Sequence, residues 1–199
     1  MTRLNRAESQ ARTRRQLVET ARRLFLHAGY FATSLEAVAE EAGYSKGAVY
    51  SNFGSKTELC LAVLDRIHEE QAAAIASEFE GVTTPEEGIA ALERWADENI
   101  GNLAWTALEV EFATVGRHDE GVRAALTARR KQIRDMVAAV IAAQAERFEV
   151  ALPMTPEHAA DLALSAGIGV GVQRAVDPSV SVVPLTGMVR LLMNGVGGA

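Results

Sequence analysis

Apolar residues recur every three or four positions along almost the whole chain, and no stretch alternates cleanly between turn residues as a strand would. The pattern predicts an all-α fold of about nine helices. In the first, Leu17, Ala21, Leu24, Phe25 and Ala28 form one apolar face behind a capping box of Thr13 and Gln16, and Gly29 stops it. The second is expected to begin at Thr33 with Glu36 as capping partner, to bury Leu35, Val38, Ala39 and Ala42, and to end at Gly43. A short third helix runs from Ser45 to Phe53. A fourth starts at Ser55, capped reciprocally by Glu58, and continues through Leu59, Val63, Arg66 and Ile67 towards Phe79. After a loop over residues 81–85, five more are predicted. Pro85 opens one through Trp95 to Ile100, and Leu103–Val115 is another. Asp119–Phe148 is long, Thr155 opens one reaching Val176, and Leu185–Met193 is the last.

Composition narrows the class. The chain has 199 residues, 48% apolar and 23% charged, as a folded protein of one or two small domains would. Its longest apolar run, Met136 to Ala143, is far too short for a membrane span, and the first ten residues lack the apolar core of a signal peptide. A soluble, cytoplasmic protein with no membrane partner is expected. The single cysteine, Cys60, excludes an internal disulfide and any multi-cysteine zinc site.

The net charge of −6 hides a division. Residues 1–60 hold nine Lys/Arg against six Asp/Glu, whereas residues 61–199 hold eleven against twenty. Seven of the arginines lie within residues 1–23. A basic head on an acidic body suits a chain whose one end meets a polyanion, though a solvated charged helix explains the head equally well.

Residues 34–53, SLEAVAEEAGYSKGAVYSNF, meet three demands of a helix-turn-helix. Ala39 is small where a second helix would cross. Gly43 tolerates the positive φ of a tight turn. Val49 is a branched apolar residue able to point back into the crossing. A plain helical hairpin is the competing reading.

The residues also carry a resemblance. Gly29, Tyr30, Thr33, Ser34, Val38, Ala39, Ala42, Gly43, Ser45, Gly47, Tyr50, Phe53, Lys56 and Leu59 together look like the N-terminal signature of the TetR family of bacterial transcriptional regulators, without a gap from Arg12 to Leu59. The remainder is loosely similar to BetI/AcrR-like C-terminal regions. The resemblance implies a DNA-binding domain over residues 11–65, with its motif at 34–53, and a ligand-binding and dimerisation domain over 66–199. It further implies a homodimeric regulator that binds a palindromic operator, most simply a repressor released by a small molecule. A helical protein–protein adaptor is the alternative.

In that reading the third helix lies in the major groove with its first residues nearest the base edges. Ser45 caps it and can donate to a phosphate, and Lys46 can reach a phosphate or a guanine edge. Gly47 lets the backbone approach closely, and Ala48 offers a methyl to a thymine. Tyr50 resembles the family's phosphate-contacting tyrosine, with its ring expected against Phe53. Ser51 and Asn52 can read or position. Thr33, Ser34 and Lys56 flank the motif at helix N-termini, where anions are attracted; capping alone also explains Thr33 and Ser55. Arg3, Arg6, Arg12, Arg14 and Arg15 form an arm that can add non-specific affinity.

Ala159, Ala163, Gly167 and Gly171 form a small-residue row at four-residue spacing, suited to close helix packing. With Leu185, Met188 and Leu192 it resembles the family's dimer face, against the alternative of a packing seam within one chain. Trp105, Glu109 and Phe112 share a helix face and, with Trp95 and Met136, are the candidate pocket for a cationic or donor-bearing ligand. The other possibility is that Glu109 pairs with Arg129 or Arg130. The four histidines are scattered and no Gly-rich phosphate loop is present, so no enzyme activity, metal or cofactor is expected.

Overall fold

The computed structural model describes residues 6–194, with side chains described to residue 191. These residues form nine helices: α1 Arg6–Ala28, α2 Leu35–Glu41, α3 Lys46–Asn52, α4 Lys56–Glu78, α5 Pro85–Asn99, α6 Leu103–Val115, α7 Glu120–Arg147, α8 Pro156–Val176 and α9 Val183–Asn194. No strand occurs among the described residues.

Helix starts follow side-chain chemistry. Ser45, Ser55, Thr84, Asn102, Asp119 and Thr155 each accept a hydrogen bond from the backbone N–H three residues on, occupying one of the four free donors of a helix start. Two expected caps differ. α1 begins at least seven residues before Thr13, whose hydroxyl donates back to the Ser9 carbonyl as a mid-helix threonine does. α2 is capped by Ser34, not Thr33. At α4 the reciprocal half of the box is shifted, since Glu58 accepts from the Gly54 amide. The last helix begins two residues earlier than predicted, at Val183.

The first four helices share one core. Leu17, Ala21, Phe25, Val38, Val49, Phe53, Leu59 and Val63 are buried together. This cluster also takes in Leu108 and Phe112 of α6 and Val122 of α7. The head is therefore packed directly onto the body, and α4 runs as one helix from the first into the second. In the body, α8 packs on α6, α7 and α9, and α5 on α4 and α9. A second, smaller cluster of Ala96, Val182 and Leu185, flanked by Trp95, Val170 and Met188, joins α5, α8 and α9.

Candidate nucleic-acid interface and its link to the body

The α2–α3 pair meets the three demands read from the sequence. Ala39 and Val49 are buried at the crossing, and Gly43 has φ +72° in a turn closed by the Tyr44 amide donating to the Ala39 carbonyl. Val49 faces inward, so the opposite side of this two-turn helix is free. Ser45, Lys46, Gly47, Tyr50 and Ser51 are exposed on it, with Ala48 half-buried. A Cβ on Gly47 would meet only the Ser45 hydroxyl, at 3.8 Å, so its bareness leaves the surface open.

Several predicted contact residues have other engagements. Lys46 Nζ lies 3.5 Å from the Glu36 carboxylate on α2. The Glu36 carboxyl is held below its usual range first by a backbone hydrogen bond in the first turn of α2 and then by Lys46. Ser51 and Asn52 both donate back to the Ala48 carbonyl. Tyr50 does not stack on Phe53. Phe53 is buried, and it is the Arg14 guanidinium that covers its ring, 4.0 Å from the centroid. Arg14 also donates to the Asn52 carbonyl, so it pins the end of α3 rather than belonging to a free arm. Arg6, Arg12 and Arg15 are exposed, and Arg3 lies outside the described residues.

Two of the flanking residues are engaged inside the head. Thr33 is buried, and its hydroxyl donates to the Leu24 and Gly29 carbonyls, so it fastens the α1–α2 turn and offers nothing to a phosphate. Ser34 is the exposed hydroxyl of the pair. Lys56 is half-buried, donating to the Phe31 carbonyl at 3.3 Å with its ammonium 4.3 Å over the Tyr30 ring. Burial pushes its pKa down. It acts as a strut beneath the same turn.

That turn is held from the body as well. Glu111 of α6 accepts the Tyr30 amide at 2.7 Å, beside Gly29 at φ +86°. A Cβ on Gly29 would lie 2.9 Å from the Glu111 carboxylate, so only glycine admits this contact. No sequence rule pointed to Glu111, because its partner is 81 positions away.

Around Glu109, two positions before Glu111, the expected pocket is only partly assembled. Glu109 pairs with neither Arg129 nor Arg130. Its carboxylate lies 2.9 Å from His68 Nε2 on α4, while Arg129 goes to Asp65 and the Leu61 carbonyl and Arg130 to Asp161. Trp105 packs edge-on to His68, with ring centroids 6.1 Å apart. His68 Nδ1, Gln71 Oε1 and the Trp105 indole N–H are buried without a hydrogen-bond partner among the described residues. The other three pocket residues are not gathered there. Phe112 is fully buried against Tyr30 in the head–body core, Trp95 belongs to the α5–α8–α9 cluster, and Met136 is exposed on α7.

The small-residue row is covered within the chain only in part. Ala159 and Gly171 are buried within the chain; a Cβ on Gly171 would meet Ile100, Gly101 and Thr106. Leu185 is buried and Met188 packs on the α5–α8–α9 cluster. Ala163 and Gly167 are half-buried between these ends, and the Leu192 side chain lies outside the described residues. The row is packed within the chain only at its ends, since a Cβ on Gly167 would meet nothing within 4 Å. The uncovered apolar face is rotated from it: Ile168 (64% exposed), Val172 and Val176 (85%) at four-residue spacing on α8, with Val183 and Leu191 (71%) on α9.

Comparisons with known proteins agree with this architecture. The family model described as "Bacterial regulatory proteins, tetR family" matches residues 17–63, the span from the α1 core face into α4. The HTH-type transcriptional regulator TtgR of Pseudomonas putida is 42% identical over 86 residues, which cover 43% of this chain and 40% of that protein. The chain thus aligns with well under two thirds of that relative's length. The HTH-type transcriptional repressor AcnR of Corynebacterium efficiens is 28% identical over 135 residues, covering 68% of this chain and 67% of that one. Among solved structures, a transcriptional regulator from Saccharomonospora viridis in complex with choline superposes with a TM-score of 0.67 at 18% identity, covering 90% of this chain and 94% of that one. The likeness to tetR-family regulators is thus carried by the helix-turn-helix head.

Proposed function

We propose that this chain is an effector-responsive transcriptional repressor that binds a palindromic DNA operator as a homodimer. The observation that carries the reading is the outward face of α3: a capped helix start, a lysine, a bare glycine and a half-exposed tyrosine, on a helix whose other side is locked into the head core. Such a helix enters a major groove with its N-terminal residues towards the bases. Lys46 leaves its exposed pair with Glu36 at little cost, since exposed ion pairs contribute about 0–1 kcal/mol. Repression is the reading supported by AcnR, a named repressor.

One such helix touches few base pairs, so two copies about one DNA turn apart are needed. The apolar face of Ile168, Val172 and Val176 with Val183 and Leu191 is where we place the joining of two chains, replacing the row expected from small residues. Burying these side chains removes apolar surface from water, the main driving force of permanent association.

The effector site we infer lies between α4 and α6, at His68, Gln71, Trp105 and Glu109. Buried polar groups are seldom left unmatched, and here three cluster beside a carboxylate. With its Nε2–H donated to Glu109, His68 presents Nδ1 as an acceptor. Two further acceptors and one indole donor then suit a compound carrying hydrogen-bond donors or a positive charge. That the Saccharomonospora regulator was solved with choline is compatible with such a class. Entry of the compound parts His68 from Glu109 and shifts α6, and Glu111, two residues on, carries the shift to the turn that leads into α2. The effector changes DNA affinity only by its difference in affinity for the two arrangements. The test is a gel shift on palindromes upstream of the chain's own gene. Lys46→Ala and Tyr50→Ala should each weaken binding about tenfold while leaving the helical circular-dichroism signal intact, equivalent to one lost charge-assisted contact. Operator binding unchanged in both variants contradicts the proposal.

A further inference from the structure

The acidic body contains one basic region that the α3 face does not use. Of the eleven Lys/Arg in residues 61–199, six fall within residues 117–134, a stretch holding only Asp119 and Glu120 as acids. Three of the six, Arg117, Arg123 and Arg130, line an open groove of about 520 Å³ where the end of α6 meets the first turns of α7. Its remaining walls are Ala113, Gly116, Leu126 and Thr127. Gly116 is buried at the floor, where a Cβ would lie 3.3 Å from the Leu126 methyl, so its bareness brings the helices together there.

The three guanidiniums are lightly committed. Arg123 pairs with Glu120 at 3.2 Å and Arg130 with Asp161 at 2.9 Å, both on exposed side chains, and such pairs exchange readily for a ligand oxygen. The Arg117 guanidinium forms no hydrogen bond or ion pair among the described residues, the residue's one bond being from its backbone amide to the Thr114 carbonyl. Three cationic forks around an apolar floor match a carboxylate or phosphate carried on a compact apolar body. The volume falls in the usual range for small-molecule sites. The apolar floor argues for such a molecule over a nucleic-acid backbone, which offers charge without apolar bulk. We propose that this groove is a second ligand site, distinct from the α4–α6 effector site, that binds an amphipathic organic anion.

The test is calorimetric titration of the full chain with octanoate, alongside octanol and inorganic phosphate, independent of any DNA assay. Octanoate should bind saturably at one site per chain, and raising salt should weaken it. Arg117→Ala, which breaks no existing pair, should cost about tenfold in affinity. Glu109→Gln, in the other site, should leave octanoate binding unchanged. The groove assignment is overturned if octanoate shows no saturable binding at millimolar concentration, if octanol or inorganic phosphate binds as well as octanoate, or if Arg117→Ala binds like the unmodified chain. Failure of DNA binding in the Lys46 and Tyr50 variants to change would leave each of these outcomes as informative as before.

Discussion

Replacing Glu111 by alanine removes the acceptor of the Tyr30 amide, which lies 2.7 Å from the carboxylate in a half-buried turn. A lost hydrogen bond to a charged group costs roughly 1.5–3 kcal/mol, including the price of leaving the amide unmatched. The Lys56 ammonium, stacked on the Tyr30 ring, also loses the field of a nearby carboxylate. We expect Glu111→Ala to lower stability by about 2 kcal/mol, read as a shift in the urea midpoint at unchanged slope. Glu111→Gln keeps an acceptor oxygen in place and should cost about half as much or less. In hydrogen exchange, the Tyr30 amide should open about 30-fold faster in the alanine variant, the same 2 kcal/mol expressed as a ratio. The reasoning is refuted if the alanine variant matches the unmodified chain within about 0.5 kcal/mol, the range of an ordinary surface substitution. It is equally refuted if glutamine proves as damaging as alanine.

Other consequences follow from individual contacts. Glu36→Gln frees Lys46 and removes an α2 carboxylate from beside the α3 face, so operator affinity should rise a few-fold in a binding titration. Because the Glu36 carboxyl sits below its usual range, the Lys46 pair is fully formed at neutral pH and should loosen only as acid carries Glu36 through its depressed pKa, observable by NMR titration. Burial pushes the Cys60 thiol up to about 12, so the native chain should resist iodoacetamide at mildly alkaline pH and react only once unfolded. Ile168→Glu places a charge on the exposed α8 face, which should weaken self-association about a hundredfold in sedimentation while leaving the helix content unchanged.

What could be read from the sequence was what depends on near neighbours. The helices, the Ser45, Ser55, Asp119 and Thr155 starts, and the Ala39–Gly43–Val49 spacing all rest on residues within a few positions of one another. The N-terminal turns of α1 escaped because they are polar on every side, and periodicity cannot mark a helix with no buried face. Thr33 and Ser34 stand next to each other as equal cap candidates, and burial of the Thr33 side chain under Gly29 decided between them. Long-range partners were not legible at all. Glu109 meets His68 across 41 positions and Glu111 meets Tyr30 across 81, and charge patterns alone offered the wrong arginines. The small-residue row on α8 meets a close intrachain neighbour at Gly171, whereas Gly167 faces open space, a difference that four-residue spacing alone cannot register.

On the proposed function, α3 settles into duplex DNA through its lysine and tyrosine face. That placement is tested most directly by measuring affinity for the upstream palindrome across a salt series with the unmodified chain and the Lys46→Ala variant. Affinity should fall steeply with salt, and the variant should bind more weakly with a shallower slope, because fewer counterions are released. Identical slopes and affinities for the two proteins would contradict it.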